Sequence, residues 1–116
     1  MTNTNLSLPE LVAAAASDKK AQDIVIMDLR GISSVTDYFV ICSANSNKQV
    51  QAIADHVEEK LAEQGEKSLR REGYREAQWV LLDFGACIAH VFVEQDRRFY
   101  DLERLWSEAK TRVFAP

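Results

Sequence analysis

Two cysteines, two histidines and four glycines in 116 residues leave little material for several kinds of chemistry. No apolar run approaches the ~20 residues of a membrane span. The opening Met1-Thr2-Asn3-Thr4-Asn5 has no basic region followed by an apolar stretch, so no secretory signal is expected. With so few glycines there is no Gly-rich phosphate loop. Cys42 and Cys87 lie in separate apolar runs and are expected to be buried free thiols, as in a reducing cytoplasm. Cys87 and His90 are three apart, a spacing that on a strand sends them to opposite faces, while Cys42 and His56 lie elsewhere. Zinc needs convergent ligands, so no metal or cofactor is expected. Nor does His90 have an obvious nucleophile partner in sequence. The chain also lacks a basic excess: the formal net charge is -4 and the pI about 5.2. Little or no direct nucleic-acid binding is expected, whereas docking on a basic protein suits this balance.

What the chain does hold is an ordinary globular mix, 47% hydrophobic and 28% charged, at a length that suits one domain over residues 1–116. Its core is expected over about 7–109, with loose termini at 1–6 and 110–116. Ser7 and Glu10 form a capping-box pattern, with Pro9 tolerated in the first turn, and Leu8, Leu11, Val12 and Ala15 follow helical spacing. Asp23 to Leu29 reads as a strand with Val25, Met27 and Leu29 on one face and Ile24, Ile26 and Asp28 on the other. Tyr38 to Ala44 is nearly all apolar and reads as a central strand covered on both faces. Ser46 and Gln49 cap a second helix with a stripe of Val50, Ile53, Ala54, Val57 and Leu61, stopped at Gly65. A short, charged edge strand is expected near Lys67–Arg71. The paired arginines Arg70-Arg71 and Arg97-Arg98 sit among acids and read as a solvated mixed-charge face rather than an RNA patch.

The last third is the most informative. Gly85-Ala86 suits a two-residue turn, a register that sets Phe84 opposite Cys87, Leu82 opposite Ala89 and Val80 opposite Val91. The other hairpin face pairs Leu81 with His90 and Trp79 with Phe92. A helix from Gln95 to about Ala109 would gather Phe99, Leu102, Leu105, Trp106 and Ala109 on its core side. Tyr100 then sits about 150° from that stripe and should point outward. The whole reads as an α/β domain: a mixed sheet of about five strands with helices packed mainly on one face. Trp79 and Phe92 can be core beneath another helix or part of a partner surface. Tyr100 tips the balance to the second, since Trp and Tyr commonly dominate interfaces.

Two stretches resemble catalytic signatures. Asp83-Phe84-Gly85 spells the kinase metal-binding triplet, but the glycine loop, strand lysine and catalytic loop that must accompany it are missing. Ser33 to Val40 resembles the metal-binding strand of nucleotidyltransferases, in which two carboxylates hold a divalent pair. Here Asp37 stands two residues before Phe39, where the second carboxylate belongs.

Several segments together resemble the Iojap-type ribosomal silencing factor family: Thr36 to Cys42, Gln51 to Glu58, Trp79 to Gly85, His90-Val91-Phe92 and Arg98 to Trp106. The likeness covers about residues 8–107. It implies a small domain, nucleotidyltransferase-like but without the catalytic carboxylates, that is not an enzyme. It implies a cytoplasmic translational repressor that binds the large ribosomal subunit through its L-fourteen protein and blocks subunit joining under nutrient limitation. The family's interface, an exposed sheet face and the last helix, carries by position to Trp79, Leu81, His90, Phe92, Tyr100 and Asp101. Off the ribosome, that face could pair with a second copy. Ala86 departs from the acidic residue the family usually carries there. The competing readings are a divergent nucleotidyltransferase using Asp37 and an RNA or ribosome-assembly factor.

Overall fold

The structure is a computed structural model describing residues 6–115. Ten elements follow in order: α1 (Leu8–Asp18), β1 (Gln22–Asp28), β2 (Tyr38–Ala44), α2 (Asn47–Glu63), β3 (Arg70–Glu72), β4 (Trp79–Asp83), β5 (Cys87–Val93), α3 (Glu94–Tyr100), α4 (Leu102–Leu105) and β6 (Lys110–Val113). The strands form one sheet in the order β3-β4-β5-β2-β1-β6, in which β2 and β5 run parallel and all other neighbours antiparallel. This is the expected single α/β domain, with six strands instead of five. The sixth is β6, placed by sequence in the loose tail. All four of its residues are exposed, so it carries no alternating apolar signal; backbone pairing with β1 makes it a strand.

α1 and α2 cover one face, over a core that includes Val12, Ile24, Ile26, Ile53, Val80 and Val91. The α1 cap is present: the Ser7 backbone N–H and hydroxyl both donate to Glu10, at 3.2 and 3.1 Å. At α2 the Ser46 hydroxyl accepts the Gln49 N–H at 3.1 Å, while the Gln49 side chain accepts the Asn45 N–H. Gly65, at φ +83, closes the helix; its own N–H reaches Ala62 and that of Glu66 reaches Leu61, the paired bonds of a Schellman end. Ser46→Ala should remove about 1 kcal/mol. A fall of roughly 5 °C in thermal midpoint would report it.

The hairpin register is the expected one, with Trp79 opposite Phe92 and Leu81 opposite His90. Asp83 serves the turn: its carboxylate accepts the Gly85 N–H at 2.8 Å. The β3–β4 connection depends on Gly73, at φ +80, where any side chain would collide with the Trp79 carbonyl. β1 starts with an irregularity between Gln22 and Val25, where Asp23 takes φ +50. This kink becomes important because of what docks on it.

The single helix expected over 95–109 is broken. Asp101 adopts a left-handed conformation, φ 47 and ψ 57, ending α3 and starting the one-turn α4. The break resets the helical phase. Phe99 and Leu105, expected in the core, are 80% and 73% exposed, while Leu102, Trp106 and Ala109 do pack inward.

Candidate partner-binding surface

The second sheet face is not open. Val25, Met27, Phe39, Ile41, Ile88 and Phe92 form a second core on it, closed by Leu102, Trp106 and Ala109 from the chain after the break. Of the residues expected to meet a partner, Phe92 is fully buried and His90 is 4% exposed. Alternation along β5 correctly put both on this face, but it carried no information on what lies over them. Both lie beneath the surface of the chain rather than on it. Trp79, Leu81 and Asp101 are half-buried, and Tyr100 is 47% exposed.

Aromatic rings run continuously from this core to the surface. Trp79 stacks on Phe92 at 4.9 Å, Tyr100 lies over Trp79 at 4.7 Å, and Phe99 meets Tyr100 edge-on at 5.1 Å. Beneath them, Phe39 sits edge-on to His90 at 4.5 Å and to Trp106 at 5.9 Å. His90 fixes the indole: Trp79 Nε1–H donates to His90 Nδ1 at 3.0 Å. An accepting Nδ1 places the neutral ring's proton on Nε2, which is buried without a partner. Burial pushes the His90 pKa down to about 4. His90 therefore orients a neighbour and is held neutral.

The outermost part of the surface is the α3–α4 elbow, where Phe99, Tyr100 and Leu105 share a shallow groove with Arg98, Asp101 and Arg104. Acids near the surface are partly engaged: Asp83 lies 3.6 Å from Arg70, and Glu94 3.8 Å from Arg98. Sequence reasoning assigned Phe99 and Leu105 to the core; only the position of the break could have corrected that. Arg97 was placed on a solvated face, yet it is 9% exposed. Its Nη1 donates to the Asp23 carbonyl at 2.7 Å and the Ser43 hydroxyl at 3.2 Å. Its Nη2 and Nε reach the Glu103 carboxylate at 2.9 and 3.4 Å.

The chemistry-bearing residues do not converge. Asp37 is exposed in the loop before β2, and Phe39, two residues on, packs against His90 and Trp106. Cys87 lies in the helix-side core, whereas His90 faces the other way. Burial pushes the thiols of Cys42 and Cys87 up to about 12, so neither is a ready nucleophile. Among the described residues no three His, Cys, Asp or Glu side chains cluster as a metal site, and no helix is long and apolar enough to cross a membrane. Ala86 exposes its side chain at the hairpin tip, while its carbonyl accepts the Asp37 and Tyr38 N–H groups, each at 3.1 Å. That tip is at the opposite end of the hairpin from Trp79, roughly 20 Å away by strand rise.

A family model described as ribosomal silencing factor during starvation matches residues 2–115. The ribosomal silencing factor RsfS of Bacillus subtilis is 48% identical over 103 residues, 89% of this chain and 87% of the relative. The chloroplastic protein Iojap of Zea mays is 36% identical, over 90% of this chain and 45% of the relative. A crystal structure from Chromobacterium violaceum superposes with TM-score 0.84 at 31% identity, covering 96% of this chain and 95% of that one.

Proposed function

The chain belongs to the ribosomal silencing factor family, and from that premise we propose that it represses translation by docking on the large ribosomal subunit through its L-fourteen protein. Bound there in the cytoplasm, it sterically keeps the small subunit from joining when nutrients are short. The observation that carries this reading is the aromatic run from Phe92 through Trp79 to Tyr100 and Phe99. Its outer rings are uncovered and its inner rings are locked in place. Exposed apolar surface is costly unless something covers it part of the time, and aromatic residues on a rigid base are the usual anchors of an interface.

The expected contacts are Tyr100, Phe99, Leu105, Trp79, Leu81 and Asp101, with His90 and Phe92 as their support. Catalysis is no part of this reading, because the position that would need a second carboxylate beside Asp37 holds Phe39, whose ring belongs to the core. Off the ribosome the same surface is available to a second copy of the chain.

The test is sedimentation of the purified protein with free large subunits at moderate salt, followed by a subunit-joining assay. Co-migration with large subunits and loss of joined ribosomes at saturation are expected. Normal joining despite saturation would remove the steric mechanism. Failure to co-migrate would remove the binding reading itself, and binding to naked RNA with a steep salt dependence would favour the RNA-factor reading instead.

A further inference from the structure

We infer that Arg97 and Glu103 are a positioning pair that sets the angle of the α3–α4 elbow and so holds Phe99, Tyr100 and Leu105 on one surface; the inference rests on the binding role proposed above. α4 has little of its own to hold it. It is a single turn of four residues, none of them buried. A helix that short does not persist by its own hydrogen bonds. It also follows a non-glycine residue in the left-handed region, a conformation that is itself unfavourable. Leu102 and Trp106 pack against the second core. That seats one face of the turn on the sheet and leaves its outer face, with Leu105, without apolar contact. Among the described residues, the side-chain polar contact that ties α4 back to α3 is the two-pronged contact of Glu103 with Arg97.

Arg97 is suited to act as a fixed post. Its remaining nitrogen is tied to the Asp23 carbonyl at the kink of β1 and to the Ser43 hydroxyl of β2. The guanidinium therefore joins the sheet, α3 and α4, with its side chain only 10% exposed. Its planar fork can hold a carboxylate on one side and two oxygens of the sheet on the other, which a lysine could not. The geometry also separates docking from presentation. Removing the Glu103 carboxylate leaves the bonds from Arg97 to β1 and β2 intact, so α3 stays docked. α4 is then held by the packing of Leu102 and Trp106 alone, and its outer residue Leu105, which is 73% exposed, adds nothing to that hold.

The experiment compares wild type, Glu103→Ala, Leu105→Ala and the double variant by affinity for purified large subunits, thermal midpoint, and hydrogen exchange at Leu105 and Trp106. Glu103→Ala is expected to keep its midpoint within about 5 °C of wild type. Its Leu105 and Trp106 amides should exchange faster and its affinity fall about tenfold. Leu105→Ala should weaken binding in the wild-type background and have little further effect on Glu103→Ala, because a released α4 no longer presents Leu105. Faster exchange with unchanged affinity would overturn the inference, as would full additivity of the two substitutions. If Glu103→Ala does not fold, Glu103→Gln, which keeps one acceptor for Arg97, carries the same comparison and should lie between wild type and the expected alanine result. Wild type failing to bind subunits would instead overturn the binding role.

Discussion

Replacing Tyr100 with alanine is expected to weaken binding to the large ribosomal subunit about thirtyfold or more, the ~2 kcal/mol typical of a truncated aromatic anchor. The fold should survive. Tyr100 is half-exposed, and its ring caps the outer edge of the second core, over Trp79 at 4.7 Å and 6.4 Å from Phe92, rather than filling it. Tyr100→Phe is the informative control. The Tyr100 hydroxyl makes no hydrogen bond among the described residues, so the phenylalanine variant keeps every internal contact. Near-normal binding by it would assign the effect to the ring; a loss as large as alanine's would assign it to a hydrogen bond with the partner. Isothermal titration against the isolated L-fourteen protein, alongside thermal midpoints, reads both. A Tyr100→Ala variant that binds normally, or that loses binding only because it unfolds, would remove this surface from the interface. Trp79→Ala should weaken binding as well, but its interpretation is mixed, because the indole also stacks on Phe92 and bonds His90.

The outward position of Tyr100 was legible in the sequence, though the helix used to place it was not the one that forms. A continuous wheel over 95–109 put Tyr100 outside and Phe99 and Leu105 inside; the break at Asp101 leaves all three exposed. No glycine or proline announces that break. Aspartate is one of the few residues that enter the left-handed region at modest cost, but most aspartates do not, so the residue alone is a weak signal. The surroundings of the break are tertiary: before it Arg97 bonds to β1 and β2, and after it Leu102 and Trp106 pack on the second core. Local rules succeeded where the determinant is local. Gly85 fixes the hairpin register through its turn, and Ser46 with Gly65 bounds α2. β6 failed for the opposite reason, being a charged edge strand whose only claim to strand structure is the neighbour it pairs with.

The burial of His90 and Phe92 was also beyond a local reading. Period-two alternation shows which side of the sheet a residue faces, and it cannot show whether a later segment of the chain folds back over that side. Here Leu102 and Trp106 do so, and the candidate surface moves outward from the sheet to the elbow. The electrostatic picture moves with it. The net charge of -4 suits a basic partner, yet the elbow groove holds Arg98 and Arg104 beside Asp101. Apolar contact is therefore expected to carry the affinity, with charge setting orientation.

Stability is expected to fall by about 3 kcal/mol between pH 6.5 and pH 4 through His90 alone. In the folded chain burial holds its pKa near 4, against 6.5 for the unperturbed side chain. Over that window the unfolded chain takes up a proton that the folded chain refuses, so acid favours unfolding; well above pH 6.5 both forms are neutral and the effect is absent. The groups packed on the ring, Phe39, Trp79 and Phe92, carry no charge that could receive an imidazolium, and Nδ1 must keep its lone pair to accept from Trp79. Asp28 does not confuse the window. Its pKa is held at about 2 by hydrogen bonds from Arg30, against 3.8 for the unperturbed side chain, so its contribution is lost between those two values, and the small part lost by pH 4 is common to wild type and any His90 variant. The measurement is urea unfolding of wild type and His90→Leu at pH 7, 6, 5 and 4. Wild type should lose about 3 kcal/mol more than the variant across the series, with the difference growing most steeply below pH 6. A flat difference would mean that the ring takes its proton in the folded state at ordinary cost, and the account of His90 as the neutral support of Trp79 would fail.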